Sequence, residues 1–321
     1  MRILLWHVHG SWTTSFVRGG HDYVLPLTAD RGADGRGRAT SWTWPSSVRE
    51  VRTERLRDEP IDMVVLQRPH EADLVEEWLG RVPGIDVPAV YLEHNTPRGD
   101  VPDTRHPMAD QRDIPVVHVT HFNALFWDNG RAAVHVIEHG IVDPGELWTG
   151  ELRRAAVVVN EPIRRNRVTG TDLLAELAAA APLDVFGMGL TGLHEAYGLD
   201  PARVALHPDA RQDRMHRLLA ARRVYVHPIR WTSLGLSLLE AMHLGMPVVV
   251  LATTEAVDAV PPEAGCVSLR PDLLADAVHR FIDDPEAARL AGKAARAAAV
   301  ERYGLPRFLA DWDRLVQEVT R

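Results

Sequence analysis

The sequence of 321 residues contains one cysteine, Cys266, so it cannot close an intramolecular disulfide. That excludes the stapled scaffolds of small secreted proteins and fits a reducing, cytoplasmic setting. Lysine is equally scarce: Lys293 stands alone, and every other fixed positive side chain is arginine. A phosphate clamp in this chain must therefore use arginine or backbone amides. Basic residues number 36 against 44 acidic ones, and the net charge of -8 argues against a general affinity for nucleic acid or anionic lipid. Apolar runs such as residues 248–252 fall far short of the roughly 18 residues of a membrane-spanning helix. The apolar stretch in residues 1–7 is too short for a signal peptide and reads as a first strand. No repeat of fixed period is present, and the biased stretches are short and rich in Ala or Arg.

What the chain does contain is alternation. Short β-rich runs occupy residues 3–8, 62–67, 89–93, 116–120 and 134–139, and a second set occupies 156–159, 183–186, 223–227 and 248–252. Between most of them lie stretches of helical periodicity, among them 73–79, 172–181 and 214–221. Continuous apolar strands alternating with amphipathic helices imply parallel sheets covered on both faces, an α/β architecture. The segment Val142-Asp143-Pro144-Gly145-Glu146 interrupts regular structure between the two sets. Two doubly wound domains would follow, with ligands expected beyond the carboxyl ends of their strands in a cleft between the domains. Beyond residue 284 the pattern is helical, over 285–303 and again over 306–319.

The densest signal lies in residues 224–258. Val-Tyr-Val-His-Pro is followed by Gly235-Leu-Ser-Leu-Leu-Glu240-Ala-Met-His-Leu-Gly245-Met-Pro247-Val-Val-Val. This reads as strand, loop, a helix opening near Ser233 or Gly235, a glycine stop at Gly245 and a further strand. Ser233 is the candidate N-cap, and the amides from Thr232 through Ser233, Leu234 and Gly235 to Leu236 would offer an anion site at the positive end of the helix. Glu240, about a turn and a half further on, could accept hydrogen bonds from a ribose diol beside that phosphate.

In this motif the sequence resembles glycosyltransferase family 4, retaining enzymes of the two-domain GT-B fold. Further landmarks run in family order: His139-Gly140-Ile141-Val142-Asp143, Phe186-Gly187-Met188-Gly189 and Tyr303-Gly304. The resemblance implies a Rossmann-like acceptor-side domain over 1–147, a Rossmann-like donor domain over 148–303, and a terminal helix over 304–321 crossing back to the first domain. It implies a metal-independent transfer of sugar from a nucleoside-diphosphate-sugar to an unidentified acceptor, with no cofactor beyond that donor co-substrate. The family's helix usually carries two glutamates. Glu240 matches the later one, which binds ribose, while Thr232 occupies the earlier position and Leu234 replaces the usual aromatic residue. Asp258 falls where the family often has another acid.

The family's donor diphosphate is held by an Arg and a Lys near the first strand and helix of the second domain. That region here contains Arg164, Arg165 and Arg167 ahead of Thr169-Gly170, the expected helix start. Guanidinium groups bind phosphate oxygens bidentately, so Arg164 and Arg167 are the expected replacement. The base pocket would involve the loop after Gly187 and the segment around His207. In the first domain, Gly10 and Ser11 open an apparent helix reaching Arg18, where the backbone could approach a ligand closely. His94 ends a buried strand and matches a family histidine that contacts the donor sugar. Gln67, His70 and His121 also end strands. His7 and His9 share a strand face, yet no Cys or paired carboxylate stands at ligand spacing, so no metal is expected. The loop over 97–115 suits a mobile acceptor loop or simple surface cover.

Two other readings keep the fold. A sugar-nucleotide epimerase or phosphorylase-like enzyme would need further acid/base carboxylates or a cofactor lysine, and Lys293 lies in a late helix. A non-catalytic sugar-nucleotide-binding or scaffold protein would accommodate Thr232 in place of the glutamate.

Overall fold

A computed structural model of the chain describes residues 1–39 and 42–321. Its first unit comprises Met1–Val142 with Leu305–Arg321, and its second Asp143–Gly304. The division falls five residues before the expected 147/148 boundary, where Asp143 pairs with Arg296 of the second unit at 2.9 Å.

The first unit contains β1 (Arg2–Leu5), α1 (Gly10–Phe16), β2 (Asp22–Leu27), β3 (Val48–Arg52), β4 (Met63–Leu66), α2 (Glu71–Leu79), β5 (Ala89–Glu93), β6 (Val116–His118), α3 (His121–Phe126) and β7 (Val134–Val136). The second contains β8 (Leu152–Val158), α4 (Pro162–Arg165), α5 (Leu174–Ala180), β9 (Leu183–Gly187), α6 (Leu193–Tyr197), β10 (Val204–Pro208), α7 (Gln212–Ala220) and β11 (Arg222–His227). It continues with α8 (Leu236–His243), β12 (Val248–Leu251), α9 (Ala256–Ala259), β13 (Gly265–Ser268), α10 (Pro271–Asp283) and α11 (Pro285–Tyr303). The last helix, α12 (Leu305–Val319), belongs to the first unit.

Both sheets are parallel and share one winding. The order is β3-β2-β1-β4-β5-β6-β7 in the first and β10-β9-β8-β11-β12-β13 in the second. Ile3 of β1 pairs with Tyr23 on one side and Met63 on the other; Ala156 of β8 likewise pairs with Asp184 and Tyr225. The direction of winding thus reverses between β1 and β4 and between β8 and β11. In such sheets ligands are taken outside the carboxyl ends of the strands at the reversal. The central strands are fully buried apolar runs, as sheets covered on both faces require. In the first unit α12 supplies much of that cover, with the Trp312 ring 5.6 Å from Trp12 and 4.9 Å from Phe16. Gly140 lies so close beneath this helix that a Cβ there would stand 2.3 Å from Phe308, which explains one of the sequence landmarks.

Strands β2, β3, β10 and β13 and helix α10 were not among the segments expected as regular structure. Three of these strands contain the signals that oppose a strand assignment: Pro26 in β2, alternating charge in the Val48–Arg52 run and a leading glycine in β13.

Candidate functional site

In the second unit, the loops leaving the carboxyl ends of β8 and β11 meet. Gly170 packs against the β11 loop so tightly that a Cβ would lie 1.9 Å from the carbonyl oxygen of Pro228. The amide of Arg230 donates to the Val168 carbonyl at 2.9 Å, and Asp172 receives the Arg230 guanidinium through both carboxylate oxygens, one contact being 2.9 Å. Burial alone would raise the Asp172 pKa, but the hydrogen bonds and charge of Arg230 outweigh it and hold the carboxyl below its usual value. Thr253, just beyond β12, donates its hydroxyl to Ile229 at 2.7 Å and so joins a third loop to the same place. Local strain collects here too. Glu161, Asn166, Asp209 and Thr254 adopt positive φ angles of 54°, 43°, 50° and 51°, four of the five non-glycine residues that do so among those described. Strained non-glycine backbone clusters at ligand sites, where surrounding structure over-determines it.

Arg164 and Arg167 extend from this loop system with side chains 71% and 70% exposed. Arg164 stands 3.7 Å from Glu161, and Arg167 donates to Asp172 at 3.0 Å. Thr169-Gly170 does not begin a helix as expected. Gly170 has φ +70 and separates two short 3-10 turns, because the approach of Pro228 leaves no room for a side chain there.

Helix α8 begins at Leu236, which takes the Gly235 opening of the two expected and not the Ser233 cap. Its N-cap is Gly235, with no side-chain capping bond. The His227 imidazole occupies the space a Cβ would need, its Cε1 being 2.3 Å away, so position 235 must be glycine. Burial drives the His227 pKa down to about 4, which keeps the ring neutral against the helix start. Ser233 is buried, and its carbonyl accepts a long bond of 3.4 Å from the Glu255 amide; Thr232 is half-buried and Leu234 buried.

Glu240 is buried, at 4% exposure, and its carboxylate is already engaged. Gln212 donates to Oε1 at 2.7 Å and His216 Nε2 lies 3.2 Å from Oε2, both from α7. Neither residue was anticipated as part of the site. Their spacing of four on one helix face was the available signal.

Gly187 and His207 have structural roles in this arrangement. A Cβ on Gly187 would collide with the Val159 carbonyl at 1.9 Å, so the glycine permits backbone packing at the end of β9. His207 stacks on Phe186 at 4.4 Å and lies 2.9 Å from Asp184, which also receives Arg154 and Arg222 at 2.8 Å each. Burial opposes the charge on Asp184, but those three partners lower its pKa.

The first unit is built differently. Helix α1 starts at Gly10 and ends at Phe16, short of Arg18, and Ser11 lies half-buried in its first turn. The close approach at Gly10 is made by protein: a Cβ would meet the Trp42 indole nitrogen at 3.0 Å. His94 is buried with its Nε2 2.9 Å from Gln67 Oε1, its ring 4.0 Å from His9 and 5.4 Å from Trp12. Burial, then the neighbouring His9 and His139, push its pKa well below the ordinary imidazole value. His9 and His139 are lowered by burial as well, His139 to about 3. Among the described residues no group of three or more His, Cys, Asp or Glu side chains is arranged to hold a metal ion, and no helix is long and apolar enough to cross a membrane.

A sequence profile of the family described as "Glycosyl transferases group 1" matches residues 168–284. No curated protein matches the chain. Among solved structures, sucrose-phosphate synthase from Thermosynechococcus elongatus superposes with a TM-score of 0.75 at 15% identity, covering 99% of each chain. HepE from Anabaena, in complex with UDP, gives 0.70 at 14% identity, again over 99% of both chains. AviGT4, a glycosyltransferase involved in avilamycin A biosynthesis, gives 0.66 at 15% identity over 100% of this chain and 98% of its own. The chain has the two Rossmann-like domains of the GT-B fold.

Proposed function

We propose that this protein is a retaining, metal-independent glycosyltransferase that moves a sugar from a nucleoside-diphosphate-sugar to an unidentified acceptor. The observation that carries this reading is the meeting of the β8 and β11 loops, Gly170 against Pro228, at the winding reversal of the second sheet; these two residues lie in the stretch matched by the glycosyltransferase profile, and β8, Arg164 and Arg167 precede it. HepE, of like fold, has been solved in complex with UDP, which supports a diphosphate nucleotide as the donor's leaving group. Arg164 and Arg167 would neutralise the departing diphosphate, since guanidinium charge is fixed at every working pH and fits phosphate oxygens bidentately. Glu240 would hold the ribose. The neutral His94 offers the donor sugar a hydrogen-bonding imidazole without a competing charge.

Thermal shifts with uridine, guanosine, adenosine and thymidine diphosphates test binding, and release of free sugar from donors without acceptor tests turnover. The double variant Arg164→Ala/Arg167→Ala should abolish diphosphate binding while sparing nucleoside binding. Intact diphosphate affinity would remove both arginines from the clamp. Thr232, at the place of the family's first glutamate, favours a second reading: a non-catalytic binder of sugar nucleotides. Tight nucleotide binding with no turnover of any donor would decide for it.

A further inference from the structure

We infer that Gln212 and His216 are positioning residues for Glu240 and that this three-residue set makes the nucleotide site select ribose over 2′-deoxyribose. The inference rests on the nucleotide-site reading above. Gln212 and His216 lie one turn apart on α7 and address different oxygens of one carboxylate, at 2.7 Å to Oε1 and 3.2 Å to Oε2. The carboxylate is almost fully buried, with the side chain 5% exposed and His216's 10%. A buried carboxylate without donors is costly, so this pair stabilises it in place. Each carboxylate oxygen has two acceptor sites, and one donor on each leaves one per oxygen. Two remaining acceptors on a fixed edge suit the two hydroxyls of a vicinal diol; a 2′-deoxy sugar presents one hydroxyl and leaves one acceptor unmatched.

The helix bearing Glu240 is itself pinned. Ser237, one turn before it, accepts a 2.9 Å hydrogen bond from the buried Tyr225 hydroxyl of β11. With the backbone held there and both oxygens tethered from α7, the carboxylate has one orientation to offer. Loss of either tether frees the side chain to rotate, and discrimination between one and two hydroxyls falls although the charge remains.

The test is calorimetric titration of the full chain with UDP, GDP and ADP, each against its 2′-deoxy counterpart. The unaltered protein should prefer the ribonucleotide of its own base by about tenfold or more. Gln212→Leu and His216→Leu should each reduce that preference several-fold, and Glu240→Ala should erase it. His216→Gln, which restores an amide donor, should recover it. Thermal melting identifies a variant that fails to fold, and either leucine variant alone suffices for the comparison. A protein that binds none of the nucleotides removes the nucleotide-site reading and this inference with it. A protein that binds ribo- and deoxy-forms equally, or whose folded leucine variants retain the full preference, overturns the inference and leaves the nucleotide site standing.

Discussion

The two sheets share a winding order, but the strand ends at their reversals are furnished in opposite ways. The first unit places His9 beyond β1 and His94 beyond β5, with His139 close enough to lower His94 further, and burial lowers the pKa of all three. The second places charged groups there: the Asp172–Arg230 pair with the exposed Arg164 and Arg167; the tethered Glu240 stands apart on α8 against α7. A polyanion is served by the second kind of surface, where fixed charge neutralises phosphate; a neutral sugar is served by the first, where imidazole and indole hydrogen-bond and stack without imposing a field. The same topology is thus specialised through its loops, as α/β sheets allow.

Acid should separate the units most. In the first unit His7, His9, His94, His118 and His139 all have lowered pKa values, in each case chiefly through burial, with His118 at about 4 and His139 at about 3. In the second, His227 and His243 are lowered. An unfolded chain binds these protons below about pH 6.5 while the folded chain refuses them, so stability is full above that value and falls as pH drops toward the folded values. The loss is about 1.4 kcal/mol per pH unit for each imidazole, so His118 and His139 together remove about 4 kcal/mol at pH 5. Seven of the nine tryptophans lie in the first unit. Their fluorescence should change at higher pH than hydrogen exchange of the second unit accelerates; simultaneous loss would deny the contrast.

The converse perturbation is Asp184→Ala, which strands the buried Arg222 along with Arg154 and His207. Removing one member of a buried ionic set costs about 3 kcal/mol or more, because the remaining charge stays desolvated. Exchange protection should fall in the second unit while the tryptophan signal of the first is kept. An unaltered second unit would mean that the three partners find solvent when Asp184 is removed.

What could be read from the sequence follows the same division. The alternation of apolar runs with helical periods predicted the α/β class, and the central strands β1, β4, β5, β8, β11 and β12 fall on expected segments, because strands buried on both faces are unbroken apolar runs. Edge strands such as β3, with Arg49 and Arg52 exposed, have a face in water and lose that signal. Of the two openings the sequence offers for α8, Ser233 and Gly235, the structure takes Gly235: capping propensity favours Ser233 locally, whereas His227 of a neighbouring strand requires glycine at 235. The partners of Glu240 lie 24 and 28 residues away in sequence, and single-chain reading contains no term for such pairs. Gly170 reads in the sequence as part of a helix start and Gly187 as the opening of a loop, yet each answers to a carbonyl 1.9 Å from its missing Cβ, a matter of packing between distant segments.

The smallest effect sharpens the comparison at a place remote from either set of strand ends. Each unit has a helix capped by a side chain: Thr120 accepts from the Asn123 amide at α3, and Asp284 accepts from the amides of Glu286 and Ala287 at α11. Asp284→Ala leaves two amides of a 19-residue helix to water and should cost about 1 kcal/mol. The removed carboxylate also faced the positive end of the helix dipole, a contribution that salt screens. Denaturant midpoints for this variant should therefore fall in the second unit only, by less at high salt than at low salt. A first unit that weakens equally would show that the two units unfold as one cooperative body, and the acid experiment would then have to be read as a single transition.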